Sequence, residues 1–199
     1  MTASFLRGWK SAARRALLGL VAGIALVVPA VAGAADGVAL KSVQIDATDE
    51  GFRVNADFDV QLPPAMLEAV RKGVPLVFVV EFELKRGRWY WLDETVAKVS
   101  RDRRVTFAPL TEQYRVTSSG FTQTATTPEE LQRILSRVRA WTVIERNRLQ
   151  PGEKYFAAIR FRLDTSQLPK PFQLNFIGSR EWELTTDWHR WTFVPGAEK

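Results

Sequence analysis

The feature that most constrains this chain is an unbroken alternation between Phe52 and Leu62. In GFRVNADFDVQL the even positions are Phe52, Val54, Ala56, Phe58, Val60 and Leu62, and the odd ones are Arg53, Asn55, Asp57, Asp59 and Gln61. Successive side chains of an extended strand point to opposite faces, so this period of two predicts a strand with one face on a core and one in water. The preceding segment, VALKSVQIDAT, changes phase: Val38 and Leu40 are even, Val43 and Ile45 odd. A bulge near Lys41-Ser42 accounts for the change. The Asp49-Glu50-Gly51 turn then joins the two strands as a hairpin.

The same pattern recurs downstream. In VPLVFVVEFELK, Val74, Leu76, Phe78, Val80, Phe82 and Leu84 share one face. Val77 and Val79 lie on the other, so the first half of this strand is expected to be covered on both sides. Lys85-Arg86-Gly87-Arg88 is expected to turn the chain into RWYWLDETVAKV, and Arg101 to Arg104 to turn it again into VTFAP. QYRVTS and FTQTA read as short strands. In KYFAAIRFRL, Tyr155, Ala157, Ile159, Phe161 and Leu163 share a face opposite Arg160 and Arg162. A hairpin across Leu149-Gln150-Pro151-Gly152 is expected to pair this strand with WTVIERN. FQLNF is a further strand candidate, and DWHRWTFV closes the chain.

Two segments read as helices. PPAMLEAVRKG, from Pro63 to Gly73, has proline in its first turn, an apolar face of Met66, Leu67 and Val70, and a terminal glycine. TPEELQRILSRV has Thr127 as N-cap, Pro128 at the first position and Glu130 placed as in a capping box. Leu131, Ile134, Leu135 and Val138 follow at i, i+3, i+4 and i+7. Eight or nine strands with hairpin-length connections and two short helices predict a mainly β fold. The simplest architecture is an antiparallel β-sandwich, immunoglobulin-like in general outline.

The N-terminus belongs to targeting rather than to that fold. Residues 1–15 carry Arg7, Lys10, Arg14 and Arg15 and no acid, and ALLGLVAGIALVV from Ala16 to Val28 is uncharged. Pro29 and the small-residue AVAGAAD segment complete the pattern of a secretory signal peptide, with cleavage favoured after Ala34. The rival reading is an uncleaved inner-membrane anchor, since Ala16 to Ala35 is an uncharged run long enough to span a bilayer. PAVAGAA is weakly apolar and broken by proline, which favours removal. The Arg14-Arg15 pair lacks the polar residue that usually precedes a twin-arginine signal. Residues 1–34 are therefore assigned to the signal and 35–199 to a single β-rich periplasmic domain without stable membrane insertion.

Export recasts the charge. Of 28 basic and 22 acidic residues, four basic ones and no acids lie in the signal. The remaining domain has 24 against 22, a net charge of +2, which removes the main support for nucleic-acid binding. Cysteine is absent. Thiolate nucleophiles, Cys-ligated zinc, disulfides and a lipidated cysteine are excluded with it.

No catalytic constellation, metal site or cofactor motif can be read from the remaining residues. His189 is the only histidine. On a strand it would share a face with Asp187, Trp191 and Phe193. A hydrolytic triad also needs an activated serine, but there is no G-x-S-x-G elbow and IGSRE around Ser179 lacks that spacing. Zinc would need a third ligand. Glu81 with Glu83, and Glu181 with Glu183, are neighbours along a strand, whereas a glycosidase needs carboxyls across a cleft.

Tryptophans are the most unusual feature. Trp182 and Leu184, and Trp191 and Phe193, are expected to face a core, while Trp188 points the opposite way from Trp191 and is expected outward. Trp89 and Trp91 follow Arg86 and Arg88 at one end of an expected strand and share one of its faces, and Arg101, Arg103 and Arg104 lie at the other end. Solvated turns are the expectation for both arginine groups, with an acidic partner as the rival reading. Trp188, Arg86, Arg88, Trp89 and Trp91 are the candidate contact residues for a ligand or partner.

LPPAMLEAVRKGVPLVFVVEFELKRGRWYW, PLTEQYRVTSSG and PKPFQLNFIGSREWELTTDWHRW together resemble an exported proteobacterial family, the domain of unknown function 4390. Arg88-Trp89-Tyr90-Trp91 and Pro109-Leu110-Thr111 are the most specific parts. The resemblance carries over no catalytic residues. It implies genetic linkage to a nitrogen-regulation-type membrane sensor kinase and its response regulator, and hence an accessory role in two-component signalling at the envelope. The first functional expectation is therefore a periplasmic, non-enzymatic module that binds an envelope protein, with that kinase as a partner. The second is a small-ligand or glycan binder using exposed tryptophans, and the third a hydrolase built around His189 and Asp187.

Overall fold

A computed structural model describes residues 37–88, 93–170 and 182–196. The first hairpin forms as its alternation dictates. Strands β1 (Val38–Ala47) and β2 (Gly51–Val60) pair antiparallel, with a register shift between Leu40 and Ser42 where the sequence changes phase. The even residues of β2 from Phe52 to Val60 are buried, and the odd ones from Arg53 to Asp59 are partly exposed. Helix α1 (Pro64–Arg71) follows and buries Met66, Ala69 and Val70. Strand β3 (Leu76–Arg86) is buried on both faces over its first half, including Val77 and Val79. Its outer side meets the short turn at Thr165–Gln167, where the Asp164 N–H donates to the Val77 carbonyl at 2.7 Å.

Strand β4 (Glu94–Ala108) overturns one expectation. Arg101 to Arg104 do not form a turn but lie inside a continuous strand of 15 residues. They pair without a break with Val80, Val79, Phe78 and Val77 of β3. RDRR contains none of the residues that stabilise a reversal, and a neighbouring central strand offers its backbone a full ladder. Strands β5 (Gln113–Ser118) and β6 (Phe121–Ala125) form a hairpin across Ser119 and Gly120. Both turn residues have positive φ (48° and 83°), as the tight primed turns that match strand twist require.

Helix α2 (Pro128–Ser136) starts where its sequence signals place it. The Thr127 hydroxyl accepts from the Glu130 N–H at 3.2 Å, and the Glu130 carboxylate accepts from the Thr126 N–H at 2.9 Å. This is a capping box whose return bond is displaced by one residue. The helix passes directly into strand β7 (Arg137–Glu145), so Val138 is buried as a strand residue, not as the end of the helix.

The expected hairpin between WTVIERN and KYFAAIRFRL does not form. β7 pairs with β2 in a three-stranded sheet of order β1-β2-β7. Strand β8 (Tyr155–Leu163) instead joins β3 and the last strand, β9 (His189–Phe193), in a six-stranded sheet of order β6-β5-β4-β3-β8-β9. A connection of hairpin length thus crosses between sheets. The β2 edge has a steric signature of this pairing: a Cβ on Gly51 would lie 2.2 Å from the Ile144 carbonyl oxygen of β7.

All of these strand pairs are antiparallel. The two sheets face each other across one core. Phe58 of β2 lies 5.3 Å from Phe161 of β8, and Phe52 meets Phe193 edge-on at 5.6 Å. Among the described residues the fold is the expected antiparallel β-sandwich with two short α-helices. FQLNF and residues 1–36, with the signal-peptide reading, lie outside the described residues.

Candidate functional site

Strand alternation places Glu81, Glu83 and Lys85 of β3, and Phe156, Ala158, Arg160 and Arg162 of β8, on the outer face of the large sheet. Glu81 is half-buried there and accepts from Arg160 and from Arg162, the latter at 3.1 Å. Burial pushes the Glu81 carboxyl up, but the two guanidinium hydrogen bonds outweigh it and hold its pKa below the ordinary value. Arg160, fixed by Glu81, lies 4.6 Å over the centroid of the Trp188 ring. Trp188 is therefore on the outer face, as expected, but one side of its ring is taken by a cation–π contact.

Beside this stack is an open cleft of about 400 Å³, lined by Phe156, Trp188, Trp191, Arg190, Glu83, Lys85 and Asp93 among others. Phe156 is 44% exposed. Gly87 lets the turn after β3 come close to this ring, since a Cβ there would sit 3.0 Å from Phe156 Cε2. Phe156 was not among the sequence candidates. Its signal was an aromatic on the charged phase of KYFAAIRFRL.

Arg86 and Arg88 do not project as free cations. Both reach the Glu94 carboxylate, and Arg86 is also 3.6 Å from Glu153. These hydrogen bonds, from Arg86 first and then Arg88, lower the Glu94 pKa. Trp89 and Trp91 lie outside the described residues, as does Glu181.

The closing stretch departs from expectation at Trp191. Trp182 and Leu184 are buried, but Trp191 and Phe193 are only partly so. β9 is an edge strand, so the core covers Trp191 from one side only; its ring lies 6.3 Å from Phe82. His189 is exposed 5.7 Å from the Trp191 ring, Asp187 is also exposed, and no hydrogen bond joins the two. Among the described residues no group of three or more His, Asp or Glu side chains is placed to hold a metal ion.

A second cleft, of about 550 Å³, opens where α2 and β7 approach the β4-β5-β6 end of the large sheet. Arg101, Arg103, Arg133, Arg137 and Arg139 line it. Arg103 is 6% exposed and donates to three carbonyls, those of Ile134 (2.9 Å), Leu135 (2.7 Å) and Arg137. It closes the C-terminal end of α2, whose last carbonyls have no intrahelical partner. Burial, and then the nearby Arg101 charge, lower its pKa to about 10. Arg101 donates to the Arg139 carbonyl at 3.4 Å and stacks 5.3 Å from the Trp141 ring. The sequence drew attention to Arg101 and Arg103 but not to Arg133, Arg137 and Arg139. Only the packing of α2 against the sheet brings them together.

Two antiparallel sheets and open clefts of aromatic and basic character define a β-sandwich. A model of the family Domain of unknown function (DUF4390) matches residues 35–192, and the chain belongs to that family. Neither a curated protein nor a solved structure matches the chain.

Proposed function

We propose that this chain is an exported, non-enzymatic interaction module whose outer face on the large sheet docks an envelope protein. The observation that carries this reading is the pairing of an exposed Phe156 with a Trp188 ring held by Arg160 and Glu81. Aromatic anchors held rigid and ringed by charges of both signs are the usual centre of a protein interface. Lys85, Arg190, Glu83 and Asp93 supply that ring. The partner to test first is the membrane sensor kinase that the family resemblance implies, which would make the protein an accessory of two-component signalling in the periplasm.

Capture of envelope proteins with the wild-type chain, Phe156→Ser and Trp188→Ala tests this. The wild type should retain the kinase and both variants should lose it while melting as the wild type does. Retention by both variants overturns the docking face. N-terminal sequencing of the periplasmic product should begin near Ala35, whereas an intact Met1 in the inner membrane favours the anchor. The cleft volume supports a second reading, because about 400 Å³ lies within the range of small-molecule sites. Quenching of tryptophan fluorescence by a small glycan, lost in Trp188→Ala, would favour that binder instead.

A further inference from the structure

The arginine cleft raises a question that the docking face leaves untouched. Val105 of β4 pairs with Val116 of β5, and both are buried on the core side of the large sheet. Side chains alternate along a strand, so Arg103 and Arg101 lie on that same inner face. Ser118 and, through the pair Val116↔Gln123, Gln123 of β6 lie there too. Register alone would make all four positions apolar core. Instead the inner face ends in two guanidiniums, a hydroxyl and an amide, and α2 with the start of β7 adds Arg133, Arg137 and Arg139 across the opening.

Structural duties account for only part of this charge. Arg103 is used on the α2 carbonyls, and Arg139 pairs with Asp57. Arg101, Arg133 and Arg137 form no ion pair with any described residue, although the Arg133 charge helps lower the pKa of Glu130 and the Arg137 charge that of its cross-strand neighbour Asp57. The carboxylate of Glu130, on the same helix as Arg133, is engaged by the Thr126 N–H and hydroxyl. Among the described residues no acidic side chain lines the cleft. Burial also lowers the pKa of Arg101, so it too is partly withdrawn from water.

We infer that this cleft binds a phosphate group through Arg101, Arg133 and Arg137, with the hydroxyls of Ser118 and Ser119 as further donors. The guanidinium fork matches phosphate and carboxylate oxygens in pairs. Three forks and two hydroxyls offer more donors than the two oxygens of a carboxylate can accept, whereas a phosphate monoester presents three terminal oxygens and up to two negative charges. The exposed Phe121 and the partly buried Ile134 at the same opening suit the organic part of a phosphate ester. The phosphate is either that of a soluble ester or that of a phospholipid headgroup.

Calorimetric titration of the full chain with inorganic phosphate and glycerol phosphate tests the site, with chloride at equal ionic strength as control. Arg133→Gln and Arg137→Gln should each weaken binding by about tenfold, the loss of a charge-assisted hydrogen bond, while Arg115→Gln, exposed on β5 and outside the cleft, leaves it unchanged. Co-sedimentation with phosphatidylglycerol vesicles separates the sources. Vesicle binding that phosphate competes away assigns the headgroup, and phosphate binding without vesicle binding assigns a soluble ester. Absence of binding in every arm overturns the inference, as does binding unaffected by Arg133→Gln and Arg137→Gln together. Tight binding of polyglutamate with none of phosphate also overturns it in favour of an acidic polypeptide.

Discussion

Arg103 shows how one side chain can decide the packing of several elements. A buried cation is tolerated only when its donors are used, and this one is shared among the Ile134, Leu135 and Arg137 carbonyls at the point where α2 becomes β7. Without it those acceptors would face the interior unpaired. Arg103→Met should therefore destabilise the fold by about 2–4 kcal/mol in denaturant melts. Arg103→Lys should recover part of this, because an ammonium keeps the charge but cannot span three acceptors. The sequence placed Arg103 at a solvated turn. Nothing in RDRR distinguishes an inward arginine from an outward one, because the distinction depends on a helix end about thirty residues later arriving above it.

Among the elements, α2 was the most legible and β4 the least. The start of α2 is written in local chemistry, a threonine cap, a proline and a glutamate, and the structure uses each. Thr127→Ala should cost about 1 kcal/mol by removing the cap, and Leu135→Ala about 2–5 kcal/mol because Leu135 is fully buried. Equilibrium unfolding of both variants checks the order; a neutral Leu135→Ala would mean that α2 does not pack on the core. The end of the helix was less legible, since Val138 satisfies both a helical stripe and an inward strand position. β4 looked like two strands because a charged run resembles a turn when its neighbour is unknown. β7 and β8 looked like a hairpin because a short connection between strands usually is one. In each case the pairing partner, not the segment, settled the outcome.

At the scale of the whole molecule, the outer face of the large sheet is tied together by Glu81, which joins β3 to β8 and, through Arg160, to Trp188. The folded-state pKa of Glu81 is lowered, so its contribution is present above the ordinary glutamate pKa of about 4 and is lost as pH falls through the folded value. Asp164, raised by burial but lowered further by Ser166 and Arg162, acts with the same sign. Acid titration of the unfolding midpoint should therefore fall off below the ordinary carboxylate range. Glu81→Gln should lower stability by roughly 1–3 kcal/mol at neutral pH, flatten that acid decline and expose Trp188 to fluorescence quenchers. The sequence by itself determined the β-rich class, the bulge in β1, the double burial of β3, the inward face of β8 and the cap of α2. Each rests on interactions between residues close along the chain or on a period within one strand. Only the tertiary structure decided the sheet to which β7 belongs, the partial exposure of Trp191 and the gathering of five arginines around one cleft. Those outcomes depend on contacts between residues far apart in sequence, where alternation fixes the face a side chain takes but not what lies opposite it.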